Sequence, residues 1–204
     1  MSKSQALFTA RLLTQVLSPL LIPFYAVVWL MMCTYLQLLP VPYKLFVFLM
    51  ALVFITILPA IILMTYRHIN HWDNRQLLIR QNRTVPYICI TLCYYLCHSL
   101  LVQANSPHLL ITIPLTAMAL LILTIILNLR WKLSTHLIAL GAIQGGYAAY
   151  GLLFSFQPFW GLILLTLIAG LLASAQRRLR QHSNLQLLVI YVIGIIVAYF
   201  ITLL

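Results

Sequence analysis

Long apolar runs alternate with short polar gaps along the whole chain, and the runs repeat at nearly one length. A bilayer core of about 30 Å takes about 20 apolar residues per helix. On that ruler the pattern predicts helical spans over roughly 15–38, 44–66, 86–104, 107–128, 136–156, 158–175 and 185–204. The expected fold is all-α: a polytopic transmembrane helix bundle of about seven spans, built as one membrane domain over residues 1–204. Tight turns at Leu39-Pro40-Val41-Pro42 and Asn105-Ser106-Pro107 separate neighbouring runs, and the second of these is the shortest connection. Ahead of the first run, Met1 to Leu13 carries Lys3 and Arg11 and reads as a short interfacial segment. No small-residue cleavage pattern closes the run that follows, so it is expected to be retained.

Composition agrees with a membrane setting. Of 204 residues, 64% are hydrophobic and 6% charged, against roughly 25% charged in a soluble domain. Mean hydropathy is +1.05. Twelve Lys and Arg face a single acid, Asp73, for a formal charge of +11. A charged partner should therefore be anionic, a lipid headgroup or a phosphorylated substrate. The basic residues sit in gaps between apolar runs and leave no soluble face for nucleic acid. Cys33, Cys89, Cys93 and Cys97 all fall inside apolar runs, where thiols pack as small apolar groups.

The gaps hold the candidate chemistry. With seven spans, the N-terminus and the gaps 67–85, 129–135 and 176–184 share one side, which gathers every basic residue except Lys44. His68, His71, His136 and His182 lie on that face too. Retention of Lys and Arg in cytoplasmic loops explains the asymmetry without any site, but not the histidines and helix caps beside the charges. In Gln176 to Gln186, QRRLRQHSNLQ, three arginines precede His182, and Ser183-Asn184 with Gln186 reads as a capped helix start. Backbone N–H groups at a helix start attract anions, and arginine adds forked donors that fit phosphate. Such a field favours the neutral imidazole, the form that acts as nucleophile or base. The gap Arg130-Trp131-Lys132-Leu133-Ser134-Thr135-His136 repeats the theme with hydroxyl caps and a histidine. The gap 67–85 holds Arg75, Arg80 and Arg83, with Pro86 opening the next helix. A solvated basic loop is the plainer account of these arginines.

The order of these pieces resembles the type 2 phosphatidic acid phosphatase superfamily over roughly residues 67–190. That family carries Lys and, six residues later, Arg-Pro; then Pro-Ser-Gly-His; then Ser-Arg with His five residues on and Asp after three more. The resemblance implies that His182 is the nucleophile and His136 the acid for the leaving oxygen. Phosphate would be held by Ser134 and Lys132, by Arg75, Arg80 and Arg83, and by Arg177 and Arg178. The departures are specific. Thr84 and Val85 separate Arg83 from Pro86, Arg75 stands one position from the family lysine, Leu133 and Thr135 replace Pro and Gly, and Ala175 and Gln176 occupy the Ser-Arg pair. Gln186 stands where the aspartate orients the nucleophile; an amide fixes a tautomer but supplies no charge. The His-Ser-x-x-Gln arrangement at 182–186 looks like the dolichyl- or polyprenyl-diphosphate phosphatase branch.

The resemblance thus implies hydrolysis of a polyprenyl (di)phosphate or phospholipid phosphate without metal or cofactor, in a bacterial inner membrane. The competing expectation is a membrane protein without turnover that binds or moves anionic lipid, or serves as a subunit of a membrane complex. Two further patterns read as packing. Cys89, Cys93 and Cys97 beside His98 lie on one helix, where four groups cannot surround one ion. Gly141, Gly145 and Gly146 with Ala142, Ala148 and Ala149 give the fifth run a small face for close helix contact.

Overall fold

The computed structural model describes residues 14, 17–71, 84–128, 134–155, 157–178 and 184–204. These are mostly helical, with no strand among the described residues. Seven helices follow in order: α1 (Ile22–Cys33), α2 (Val41–Ile69), α3 (Thr84–Gln103), α4 (His108–Asn128), α5 (Thr135–Leu153), α6 (Phe159–Arg178) and α7 (Asn184–Leu203). Five of them, α2, α3, α4, α6 and α7, are long and apolar enough to cross a membrane. The chain is an integral membrane protein by that measure.

The remaining two differ from the expected spans for physical reasons. The first apolar run was expected to continue over 15–38, yet α1 has only 12 residues, about 18 Å of rise. It is stopped at Thr34, whose backbone is extended and whose hydroxyl donates to the Leu30 carbonyl at 2.5 Å and accepts from the Leu36 N–H at 3.3 Å. That side chain competes with the helix for its own last-turn carbonyl. Helix α5 has 19 residues but spends several on His136, Gln144 and glycines, and is not among the five.

The chain falls into two compact units, Met1–Ile22 with Lys132–Leu204, and Pro23–Trp131. In the second, α3 and α4 form an antiparallel hairpin whose turn is the predicted Asn105-Ser106-Pro107. Asn105 takes a left-handed φ of 49°. The Ser106 N–H reaches the Leu101 carbonyl and the Asn105 N–H the Val102 carbonyl, both at 3.0 Å, which closes the helix end as a Schellman motif. His98 Nδ1 donates to the Ile111 carbonyl at 3.2 Å across the hairpin, and Tyr43 Oη donates to Ser106 Oγ at 2.6 Å, tying α2 to the turn. Cys93 and Cys97 are buried in α3, as packing residues. Helix α2 widens to a π-helical pitch over Ala51–Ile57, with the Leu58 N–H bonded to the Val53 carbonyl. Pro59 follows after Leu58; it has no N–H, and its ring displaces the carbonyl four residues back.

The first unit is organised on α5. Helix α6 runs antiparallel to it, pairing Ser134 with Gln176 and Gln144 with Thr166, and Gly161 lies against the Tyr147 ring. Helix α7 runs parallel to α5: Gly141 lies on the Tyr191 backbone, and Gly145 on that of Ile195. Gly194 returns the contact onto the Ile138 carbonyl. A side chain at any of these three glycines would strike backbone. Small residues are what let two membrane helices approach to that distance. Leu137, Leu140, Ala169, Leu172, Leu187 and Ile22 form the core between the helices, with Leu17 packed on it.

Candidate functional site

Antiparallel α6 and parallel α7 bring three helix termini to one end of this unit: the start of α5, the finish of α6 and the start of α7. The sequence candidates Ser134, His136, Arg177 and Gln186 sit on these termini.

Ser134 is the N-cap of α5. Its backbone is extended (φ −92°, ψ 104°), and its hydroxyl accepts from the Leu137 N–H at 3.5 Å, so the capping expected from the hydroxyls of this gap is made by Ser134. The same hydroxyl donates to Gln176 Oε1 at 2.6 Å. Ser134 is 2% exposed and Gln176 0%. The Gln176 Nε2 has no hydrogen-bond partner among the described residues. Sequence reasoning passed over Gln176 except as the residue in the place of the family arginine. The signal was present: Ala169, Leu172 and Gln176 follow an i, i+3, i+7 stripe, and all three are buried.

His136 lies in the first turn of α5, half-buried, and its Nδ1 donates to the Leu17 carbonyl at 2.8 Å. A carbonyl only accepts, so Nδ1 carries the proton. The segment around Leu17 was expected to be part of a span. Instead it runs past the start of α5 and orients the histidine.

Arg177 is exposed in the last turn of α6, one residue beyond the buried Gln176. Gln186 is half-buried in the first turn of α7, which begins at Asn184 as the Ser-Asn cap pattern predicts. Arg178 belongs to α6 by its backbone, and its side chain lies outside the description. His182, Lys132, Arg75, Arg80 and Arg83 lie outside the described residues, as does Ser183.

One polar chain lies further along these helices and was missed. Tyr191 Oη donates to Gln144 Oε1. Gln144 Nε2 donates to Thr166 Oγ1 at 3.0 Å, and Thr166 to the Leu162 carbonyl at 2.7 Å. It stitches α7, α5 and α6 together by side chains that are isolated polar residues in the sequence.

No family model, curated protein or solved structure matches the chain. The functional reading therefore rests on the residues and their geometry.

Proposed function

We propose that this chain is a membrane-embedded lipid-phosphate hydrolase of the type 2 phosphatidic acid phosphatase kind, acting on a polyprenyl (di)phosphate or a phospholipid phosphate. The observation that carries the reading is the parallel seating of α7 on α5 through Gly141, Gly145 and Gly194, which sets the first turns of α5 and α7 at the same end as the last turn of α6. His136 belongs to the first of those turns, and His182 precedes Asn184, the first residue of α7, by two positions.

In this reading an imidazole nitrogen of His182 attacks phosphorus as the bond to the leaving oxygen breaks, and His136 Nε2 gives that oxygen its proton. Water then cleaves the phosphorus–nitrogen bond, releasing phosphate and the free imidazole. Arg177, Arg178, Lys132 and the helix starts offset the charge on the equatorial oxygens. The hydrogen bond from His136 Nδ1 to the Leu17 carbonyl supports the acid's role, because it fixes the tautomer and orientation of the ring at the start of α5. The apolar helices around this end supply walls for lipid tails.

Gln176 and Gln186, neutral where the family has Arg and Asp, favour a second reading: a protein that binds anionic lipid without turning it over. Phosphate release from polyprenyl diphosphate, polyprenyl phosphate and phosphatidic acid by the purified protein separates the two. Hydrolysis that falls at least about 100-fold in His182→Ala supports the enzyme. Equal background from both proteins supports the binder.

A further inference from the structure

We infer that His68 and His71, at the end of α2, form a binding site for a divalent transition-metal ion that prefers imidazole, such as Zn2+. The site shares no residue with the proposed hydrolase and does not depend on that reading.

The pair is built by the way α2 ends. His68 lies in the last turn of the helix, and His71 follows three residues later, the spacing that puts two side chains on one helix face. The helix closes at Asn70, whose side-chain amide donates to the Tyr66 carbonyl at 2.8 Å. His71 then takes a left-handed φ of 52°, and its N–H turns back to the His68 carbonyl at 3.2 Å. Glycine or asparagine usually fills that position after a helix; here the asparagine stands one residue early and a histidine occupies it. The turn keeps the two imidazoles together, with ring centroids 6.5 Å apart and planes tilted by 52°. Both side chains are exposed. Neither ring has a hydrogen-bond partner among the described residues, so no ring nitrogen is committed elsewhere.

The chemistry of the pair selects the ion. Two imidazoles on one tetrahedral ion, with metal–nitrogen bonds of about 2 Å, set their ring centres roughly 5 Å apart. The observed 6.5 Å closes to that by rotation of two exposed side chains. Imidazole suits Zn2+, Ni2+ and Cu2+, whereas Mg2+ and Ca2+ take oxygen ligands. The dipole of α2 presents its negative end to the pair, which favours a cation. Arg67, half-buried in the same turn, opposes it. Asp73, the only acid of the chain, follows His71 by two positions in the sequence. Among the described residues no third histidine, cysteine or carboxylate joins the two, so the chain supplies two nitrogens and water the remaining positions. A bound ion would clip the last turn of α2 to the residue from which the gap bearing Arg75, Arg80 and Arg83 departs.

The test uses full-length protein purified without a polyhistidine tag and stripped with EDTA. It is placed in phosphatidylcholine nanodiscs at about pH 7.5, where protons compete little with a metal for imidazole. Equilibrium dialysis, with metal counted per chain, is expected to show one Zn2+ bound with a Kd below about 100 µM and no Mg2+ at that concentration. His68→Ala and His71→Ala are each expected to weaken Zn2+ at least about tenfold, since each removes one of two protein ligands. His108→Ala, at an exposed histidine of α4, is expected to change nothing. A wild type that binds Zn2+ more weakly than about 100 µM overturns the inference, as does unchanged binding when His68 and His71 are both replaced. Should those variants fail to fold, paramagnetic resonance of one equivalent of Cu2+ on the wild type decides. Hyperfine lines from two imidazole nitrogens sustain the site, and lines from any other number overturn it.

Discussion

Gly145 of α5 lies so close to Ile195 of α7 that a methyl group on it would fall on the Ile195 carbonyl. That contact, with Gly141 on Tyr191, sets the register by which the start of α7 stands level with the start of α5. Gly145→Ala is therefore expected to lower stability by about 1–3 kcal/mol, the usual range for overpacking a tight interface. Gly146→Ala is the control: its added carbon would meet only Thr202 Oγ1, at 3.6 Å, and a change within about 0.5 kcal/mol is expected. Unfolding of both variants in mixed micelles checks the pair, and equal effects would show that the contact is looser than described.

The Tyr191, Gln144 and Thr166 chain makes a second expectation. Tyr191→Phe removes the hydroxyl that donates to Gln144 Oε1. Hydrogen bonds between membrane helices average about 0.6 kcal/mol and reach about 1.7, so a loss in that range is expected. A double-mutant cycle with Gln144→Leu should return a coupling of the same size. Additive single effects would mean that the two side chains do not interact in the membrane.

For His136, the bond from Nδ1 to the Leu17 carbonyl fixes the ring at the start of α5. His136→Ala is expected to reduce kcat on a lipid diphosphate by about 10²–10⁴, the usual contribution of a general acid. A His136→Ala variant that keeps the wild-type kcat would assign the proton to another group.

The helices were largely legible from hydropathy, because a bilayer imposes one length and one composition on whatever crosses it. The seven apolar runs correspond to α1–α7, and the turn at Asn105-Ser106-Pro107 and the small face of α5 follow from the residue types alone. The exceptions are where a local polar bond competes with that average. Thr34 stops α1 by bonding its own helix, and Pro59 follows a stretch of α2 wound at a wider pitch. In the site, Ser134 and His136 were visible as a cap and a first-turn histidine. Gln176 and Leu17 were not, since one looks like a stray polar residue at the end of an apolar run and the other acts through its backbone carbonyl. Nothing in a side chain announces that its main chain will orient an imidazole over 100 positions away.

The most direct measurement of the account is the separation of positions 136 and 182 in the intact protein. With Cys33, Cys89, Cys93 and Cys97 replaced by Ala, His136→Cys and His182→Cys are introduced together and treated in nanodiscs with a bifunctional thiosulfonate spanning about 10 Å, the reach within which two rings can serve one phosphate. Rapid linkage within one chain, slowed by added phosphate, is expected. Failure to link, while either cysteine alone reacts freely with a monofunctional reagent of the same kind, would contradict a shared pocket and with it the hydrolase.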